Sequence, residues 1–192
     1  TLEHVISKLQ RSEKYKSLFT KAFGDNKITS QRLLKALAQF TVMLKSSNSK
    51  YDKVMRKEAS SAKNEQHGYE LFKKNCVSCH KEPLFNEDKF EKNGLLIDET
   101  LKDSGRIKIS GKLEDYLRFR IPTLRNIQFT FPYMHDGRFK TLNEVIKHYN
   151  SLGHNNRLSK ELKNPMNLSD NDRVDLLAFL LTLTDKDFFF FF

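Results

Sequence analysis

The chain has 192 residues, two cysteines and no tryptophan, and sets 34 Lys and Arg against 24 Asp and Glu for a net charge of +10. Its apolar and charged fractions, 38% and 30%, are those of a globular chain of one large domain or one and a fraction. No apolar run approaches the roughly 20 residues of a bilayer span, so a transmembrane helix is excluded, and two cysteines cannot build a disulfide framework.

The first pattern, over residues 2–23, places Leu2, Val5, Ile6 and Leu9, then Tyr15, Leu18, Phe19, Ala22 and Phe23, three or four apart. This predicts two short amphipathic helices broken near 11–13, with a turn at Gly24, Asp25 and Asn26. Thr1 opens directly in helix-like sequence, so any leader peptide is expected to have been removed or to lie upstream. Thr29 or Ser30 then caps a helix carrying Leu33, Leu34, Leu37, Phe40 and Leu44. Residues 45–64 are rich in Ser, Lys and Asn and read as a connector with a short helix near Tyr51–Met55. A helix over about 64–75, with Tyr69, Leu71 and Phe72 as its apolar contacts, delivers the chain to Cys76.

Residues 81–140 have little periodicity and hold Pro83, Gly94, Gly105, Gly111, Pro122, Pro132 and Gly137. Ordered loop of this length inside a compact domain is expected to wrap a ligand. Helix returns at 141–149, where Thr141 and Glu144 form a capping box, and again from Ser169 to about Leu183. Shifted by 139 positions, Ser30, Leu37, Phe40 and Leu44 fall on Ser169, Leu176, Phe179 and Leu183. Either amphipathic helices simply resemble one another, or 28–45 closes a first domain of the kind that 168–184 closes. Phe188–Phe192, five identical residues, is not plausible as an exposed natural terminus and is set aside as artefactual.

Cys76-Val77-Ser78-Cys79-His80 is C-x-x-C-H, the pattern of c-type haem attachment. Two thiols at this spacing reach the two vinyl groups of one porphyrin edge, and the adjacent histidine is carried under the ring to ligate iron. A thioredoxin-like pair would need a βαβ setting that the pattern does not suggest, and zinc would need two further ligands where no third cysteine exists. Met134, Met166, His135, His148, His154 and Tyr149 are the candidates for the sixth iron position. The lysines are scattered rather than gathered in a tract, so the net charge reads as a solvated surface and no nucleic-acid face is expected.

Three blocks in order carry a family resemblance: Ile121-Pro122-Thr123-Leu124-Arg125-Asn126-Ile127, Thr130-Phe131-Pro132-Tyr133-Met134-His135-Asp136-Gly137-Arg138-Phe139, and the helix Thr141 to Tyr149. With the flanking 37–40, 47–52 and 179–184, the chain closely resembles the bacterial di-haem cytochrome c peroxidase/MauG family. The resemblance implies two cytochrome c-like domains, a peroxide-reactive haem in the first and an electron-transfer haem in the second. Residues 1–62 match the end of the first domain and its connector, and 63–187 match the second. The first C-x-x-C-H and the acid that assists peroxide cleavage are then expected upstream, so no residue here, Glu3 and His4 included, is assigned that role.

Carried over residue by residue, Cys76 and Cys79 match the thioether cysteines and His80 the proximal ligand. The family's distal ligand lies eight residues after the threonine that opens the helix, which falls on Tyr149. A methionine there marks the peroxidase branch and a tyrosine the MauG branch, with Met134 the alternative ligand here. The resemblance also implies a calcium ion on the backbone carbonyls of Thr130 and Pro132. Arg125 would either neutralise a haem propionate or make an ordinary structural contact, and Asn126 would pin its loop or do the same. The expected fold is all-α and cytochrome c-like, with helices 64–75 and 169–183 packed together and Gly68 allowing close approach near Phe179.

The expected function is a di-haem peroxidase-like oxidoreductase, with hydrogen peroxide and a small redox protein or protein substrate as partners and a homodimer among the assemblies allowed. Covalent haem implies assembly outside the cytoplasm, so the periplasm is expected. A mono-haem electron-transfer cytochrome is the alternative.

Overall fold

The computed structural model describes residues 1–152, 158–162 and 166–189. The chain divides into two compact units, Thr1–Lys45 and Ser46–Phe192.

In the first unit, α1 (Leu2–Gln10) and α2 (Glu13–Phe23) are separate helices. Gly24 ends α2 at φ +88, a left-handed conformation open to glycine, and returns its N–H to the Thr20 carbonyl. Thr29 caps α3 (Ser30–Met43), its hydroxyl accepting from the Arg32 amide at 3.3 Å. Phe19 and Ile28 are buried, whereas Leu34, Leu37, Phe40, Val42 and Met43 are more than half exposed.

The second unit starts with α4 (Lys50–Met55), whose Ser49 and Asp52 form a capping box. Residues 46–62 pack with this unit through the buried ring of Tyr51. In α5 (Lys63–Asn75) the Glu65 carboxylate accepts the Ala62 amide at 2.8 Å. The long middle segment is mostly irregular. It holds β1 (Phe90–Glu91) paired antiparallel with β2 (Phe119–Arg120), Phe90 opposite Arg120, the single turn α6 (Ile107–Ser110), and 3₁₀ turns at 113–115 and 127–129. Helix α7 (Leu142–Asn150) carries the Thr141–Glu144 capping box. Helix α8 (Asp170–Leu181) carries a Ser169–Asp172 box and ends two residues before the expected Leu183, and α9 (Lys186–Phe189) follows.

The all-α expectation holds, with two-residue strands as its sole β element among the described residues. Helix α5 lies on α8, and Gly68 is where they meet. A Cβ built there would lie 1.9 Å from the Asp175 carbonyl oxygen and 2.9 Å from Phe179 Cβ. The closeness lets Phe72, Phe85 and Phe179 mesh, with ring centroids 5.1–6.3 Å apart and at most 3% of each residue exposed. Around them Leu124, Ile146, Leu168, Leu176, Leu180 and Leu183 complete the core.

A polar clasp closes this unit. Asp185, 2% exposed, accepts the Asn48 amide at 2.9 Å and the Ser46 hydroxyl at 3.3 Å. Asn126, buried at φ +60, accepts the Asp185 amide at 2.8 Å and donates to Ser46 at 2.9 Å, so it does pin its loop.

Gly68→Ala should force α8 away from α5 and destabilise this unit by about 3 kcal/mol, as overpacking against backbone does. Urea unfolding checks it, and a change below about 1 kcal/mol would count against the close contact.

Candidate haem site

Helix α5 ends by turning its next residues into a coil that presents one face. The Cys76 amide bonds the Phe72 carbonyl at 2.8 Å, and the Cys79 and His80 amides both bond the Cys76 carbonyl, at 3.1 and 2.9 Å. Cys76, Cys79 and His80 therefore line one cavity of about 480 Å³. Helix α7 and the loop before it also line it, with Tyr149, Met134, Thr130, Pro132 and Ile146. The volume lies in the range of ligand pockets.

His80 Nδ1 lies 3.1 Å from the Phe85 carbonyl. A carbonyl only accepts, so Nδ1 carries the proton, which leaves Nε2 as the ring nitrogen that could ligate a metal. Burial lowers the basicity of the ring, against the raising effect of the Phe85 and Pro122 backbone, and so favours neutral imidazole. Burial, with Cys79 nearby, pushes the Cys76 thiol up to about 12. A thiol so far from its thiolate is a poor nucleophile, which disfavours the thioredoxin-like alternative. Both cysteines are free of disulfides. Among the described residues no group of three or more His, Cys, Asp or Glu is arranged to hold a metal ion, as the zinc alternative would require.

Tyr149 stands on the last turn of α7. Burial raises its phenol well above the ordinary value, and Cys76 and Cys79 add to the shift, which sets the phenol beside the thiols. Its ring meets that of His148 edge-on at 5.3 Å. Met134 lines the same cavity at φ +73, and its sulfur receives the Asn93 amide group at 3.9 Å. Met166 and His135 also line it, His135 stacked on Phe119 with centroids 3.6 Å apart. His148 is not part of the wall, and its Nε2 is 2.9 Å from the Asn93 carbonyl. His154 lies outside the described residues.

Arg125 is the residue the structure moves out of the site. It does not line the cavity, and its guanidinium forms a fork on Asp52 at 2.9 and 2.8 Å while Nε donates to the Pro83 carbonyl at 2.9 Å. With 9% and 11% of the two side chains exposed, this is a nearly buried ion pair, a structural contact with the α4 carboxylate. The cations that do line the cavity are Lys92 and Arg120, and neither has an ion-pair partner among the described residues. Sequence reading passed over both, since the pairing of β1 with β2 that brings them together leaves no local pattern.

The donor set suits a covalently held haem: two thiols, an imidazole whose Nδ1 is engaged by a carbonyl, a phenol lining the same largely apolar cavity, and two cations able to meet propionates. The architecture and this donor set define a c-type cytochrome domain, and residues 65–184 match the cytochrome c family model. Residues 1–60 match that of di-haem cytochrome c peroxidase. The chain is 37% identical over 190 residues to the methylamine utilization protein MauG of Methylophilus methylotrophus, covering 95% of this chain and 55% of that protein. It is 33% identical over 174 residues to the cytochrome c551 peroxidase of Nitrosomonas europaea, covering 88% and 49%. A crystal structure of a MauG-like protein associated with microbial copper homeostasis superposes with a TM-score of 0.82 at 29% identity, covering 97% of this chain and 63% of that one. The chain belongs to the bacterial di-haem cytochrome c peroxidase/MauG family. It spans about half the length of the curated relatives it matches.

The Arg125–Asp52 pair has a pH signature. Burial alone would raise the Asp52 carboxyl, but hydrogen bonds from Arg125 and Ser49 outweigh it and hold the group below its ordinary value. Its contribution is therefore complete above the unfolded carboxylate's value of about 3.9 and is lost as the pH falls through the lower folded one. Asp52→Asn should lower the thermal midpoint at pH 7, and the gap to wild type should narrow steadily below about pH 4. Thermal scans across that range check it, a pH-independent gap being the contrary result.

Proposed function

We propose that this chain is the electron-transfer haem unit of a di-haem peroxidase-like oxidoreductase, working with a peroxide-reactive haem carried elsewhere in the full protein. The observation that carries the reading is the convergence of Cys76, Cys79, His80 and Tyr149 on one apolar cavity. A haem c bound there supplies one-electron iron chemistry. Cys76 and Cys79 would hold it by thioethers, and His80 and Tyr149 would supply the ligands to its iron. Lys92 and Arg120, which line the same cavity, would be placed to meet its propionates.

Tyr149 is preferred to Met134 because its phenol is buried close to both thiols, whereas the Met134 sulfur is engaged by Asn93. An anionic oxygen ligand favours ferric iron and lowers the potential, which suits a site that shares oxidising equivalents in the MauG manner. Hydrogen peroxide and a small redox protein or protein substrate are the partners this reading requires, and the periplasm is its compartment. A calcium ion on the Thr130 and Pro132 carbonyls belongs to the same reading. It is supported by the absence of any hydrogen bond to either carbonyl among the described residues and by the preference of hard cations for such oxygens.

A mono-haem electron-transfer cytochrome is the second reading, favoured by the single C-x-x-C-H and by Met134 in the cavity wall. Haem counting by intact mass on the full-length protein separates the two: two haems with peroxide turnover support the first, and one haem without turnover the second. Tyr149→Phe should turn the ferric haem from six-coordinate to high-spin and raise its potential. Optical and EPR spectra check this, and an unchanged six-coordinate spectrum would remove Tyr149 as the ligand. Adding a calcium chelator should lower the thermal midpoint if the carbonyl site is filled, and leave it unmoved otherwise.

A further inference from the structure

The Phe85 carbonyl that meets His80 Nδ1 belongs to a short loop, 81–86, closed by the Lys81 amide bonding the Asn86 carbonyl at 3.2 Å. Phe85 is fully buried and sits at φ +53, a conformation a bulky residue keeps only when its surroundings impose it. The surroundings here are unusually complete. Tyr51 and Tyr69 both donate their hydroxyls to Glu82 Oε1, at 2.5 and 2.9 Å. Arg125 Nε donates to the Pro83 carbonyl at 2.9 Å and the Thr123 hydroxyl to the Leu84 carbonyl at 2.5 Å. The Leu124 amide shares the Phe85 carbonyl with His80, at 3.1 Å. Every residue from 82 to 85 is thus gripped from outside the loop.

The grip traces back to α4. Asp52 holds the Arg125 fork and is itself capped by Ser49, while its neighbour Tyr51 lays its ring on Phe85 at 4.9 Å and its hydroxyl on Glu82. None of Tyr51, Asp52, Tyr69, Glu82 or Arg125 lines the cavity. Burying an ion pair and two phenols costs desolvation that apolar side chains would not incur. What the arrangement gains is a carbonyl held in one place.

We propose that Tyr51 and Asp52 of α4, with Tyr69 and Arg125, are positioning residues for the axial histidine: they hold the 82–85 loop so that the Phe85 carbonyl receives the His80 Nδ1 proton. The inference rests on the haem reading above. A hydrogen bond from Nδ1–H to a fixed acceptor raises the basicity of the other ring nitrogen as a ligand and so stabilises ferric iron. Releasing the loop lengthens that bond and raises the reduction potential.

The test uses the haem-loaded protein, with spectroelectrochemical titration and ferric EPR as readouts. The isosteric double variant Tyr51→Phe with Tyr69→Phe removes only the two hydroxyls from Glu82, and Asp52→Asn removes the charge from the Arg125 fork. Each should shift the ferric–ferrous equilibrium about tenfold toward ferrous, or about 59 mV upward for a one-electron couple, with altered ferric g-values. Lys50→Gln breaks an exposed tie from the same helix to Glu65 without touching the loop, and should leave both readouts in place. Wild-type potentials in both haem-loaded variants, or an equal shift in Lys50→Gln, would overturn the positioning role. A wild-type protein with no pyridine haemochrome would instead overturn the haem reading itself.

Discussion

The contact on which the second unit depends is the approach of α5 to α8 at Gly68, where the glycine lies against the Asp175 carbonyl with no room for even a methyl group. At that separation the rings of Phe72 and Phe179 meet at a tilt of 42° with centroids 5.1 Å apart and pack with Phe85, which is fully buried. The last turn of α5 is thereby fixed in space, and with it Cys76. The coil from Cys76 to His80 inherits its direction from that helix end, so a packing constraint eight to twelve residues earlier in the sequence sets where the two thiols and the imidazole lie. Two capping boxes, Thr141–Glu144 and Ser169–Asp172, then fix the starts of α7 and α8 and bring Tyr149 to the cavity wall.

The matched helices α3 and α8 show how little a stripe decides alone. Leu37 and Phe40 are 52% and 55% exposed, while their counterparts Leu176 and Phe179 are 2% and 3% exposed. Both helices are capped alike, by Thr29 and Ser169. The difference is the extent of the partner: α8 lies closely along α5 at its glycine, whereas α3 makes a much smaller contact, with α1. An apolar stripe states that burial is wanted, and only a facing surface supplies it.

Electrostatics in this unit serve geometry more than attraction. The Arg125–Asp52 fork, the two phenols on Glu82 and the clasp of Asp185 with Asn126 are all buried or partly buried and all hydrogen-bonded. Groups of this kind cost desolvation, and their return is a unique placement of irregular backbone. That suits a segment from 81 to 140 with little helix to organise it. The haem reading gives the placement a purpose, since an axial ligand must be held by something firmer than a loop.

Much of this was legible in the sequence. The helices, their caps and the C-x-x-C-H each depend on residues within a few positions of one another, so spacing alone predicts them. Gly68 was readable as a close approach because a glycine inside a helix needs a reason. The role of Arg125 was not, since its partner Asp52 lies 73 positions away and a lone arginine looks the same beside a propionate or a carboxylate. Nor were Lys92 and Arg120 as cavity cations, or the grip of α4 on the loop behind His80, which joins residues 51, 69, 82 and 125. The sequence by itself determined which atoms can bond a haem, because that chemistry is local. The tertiary structure decided which side chains face the cavity and which brace it from behind, because that depends on packing between segments far apart along the chain.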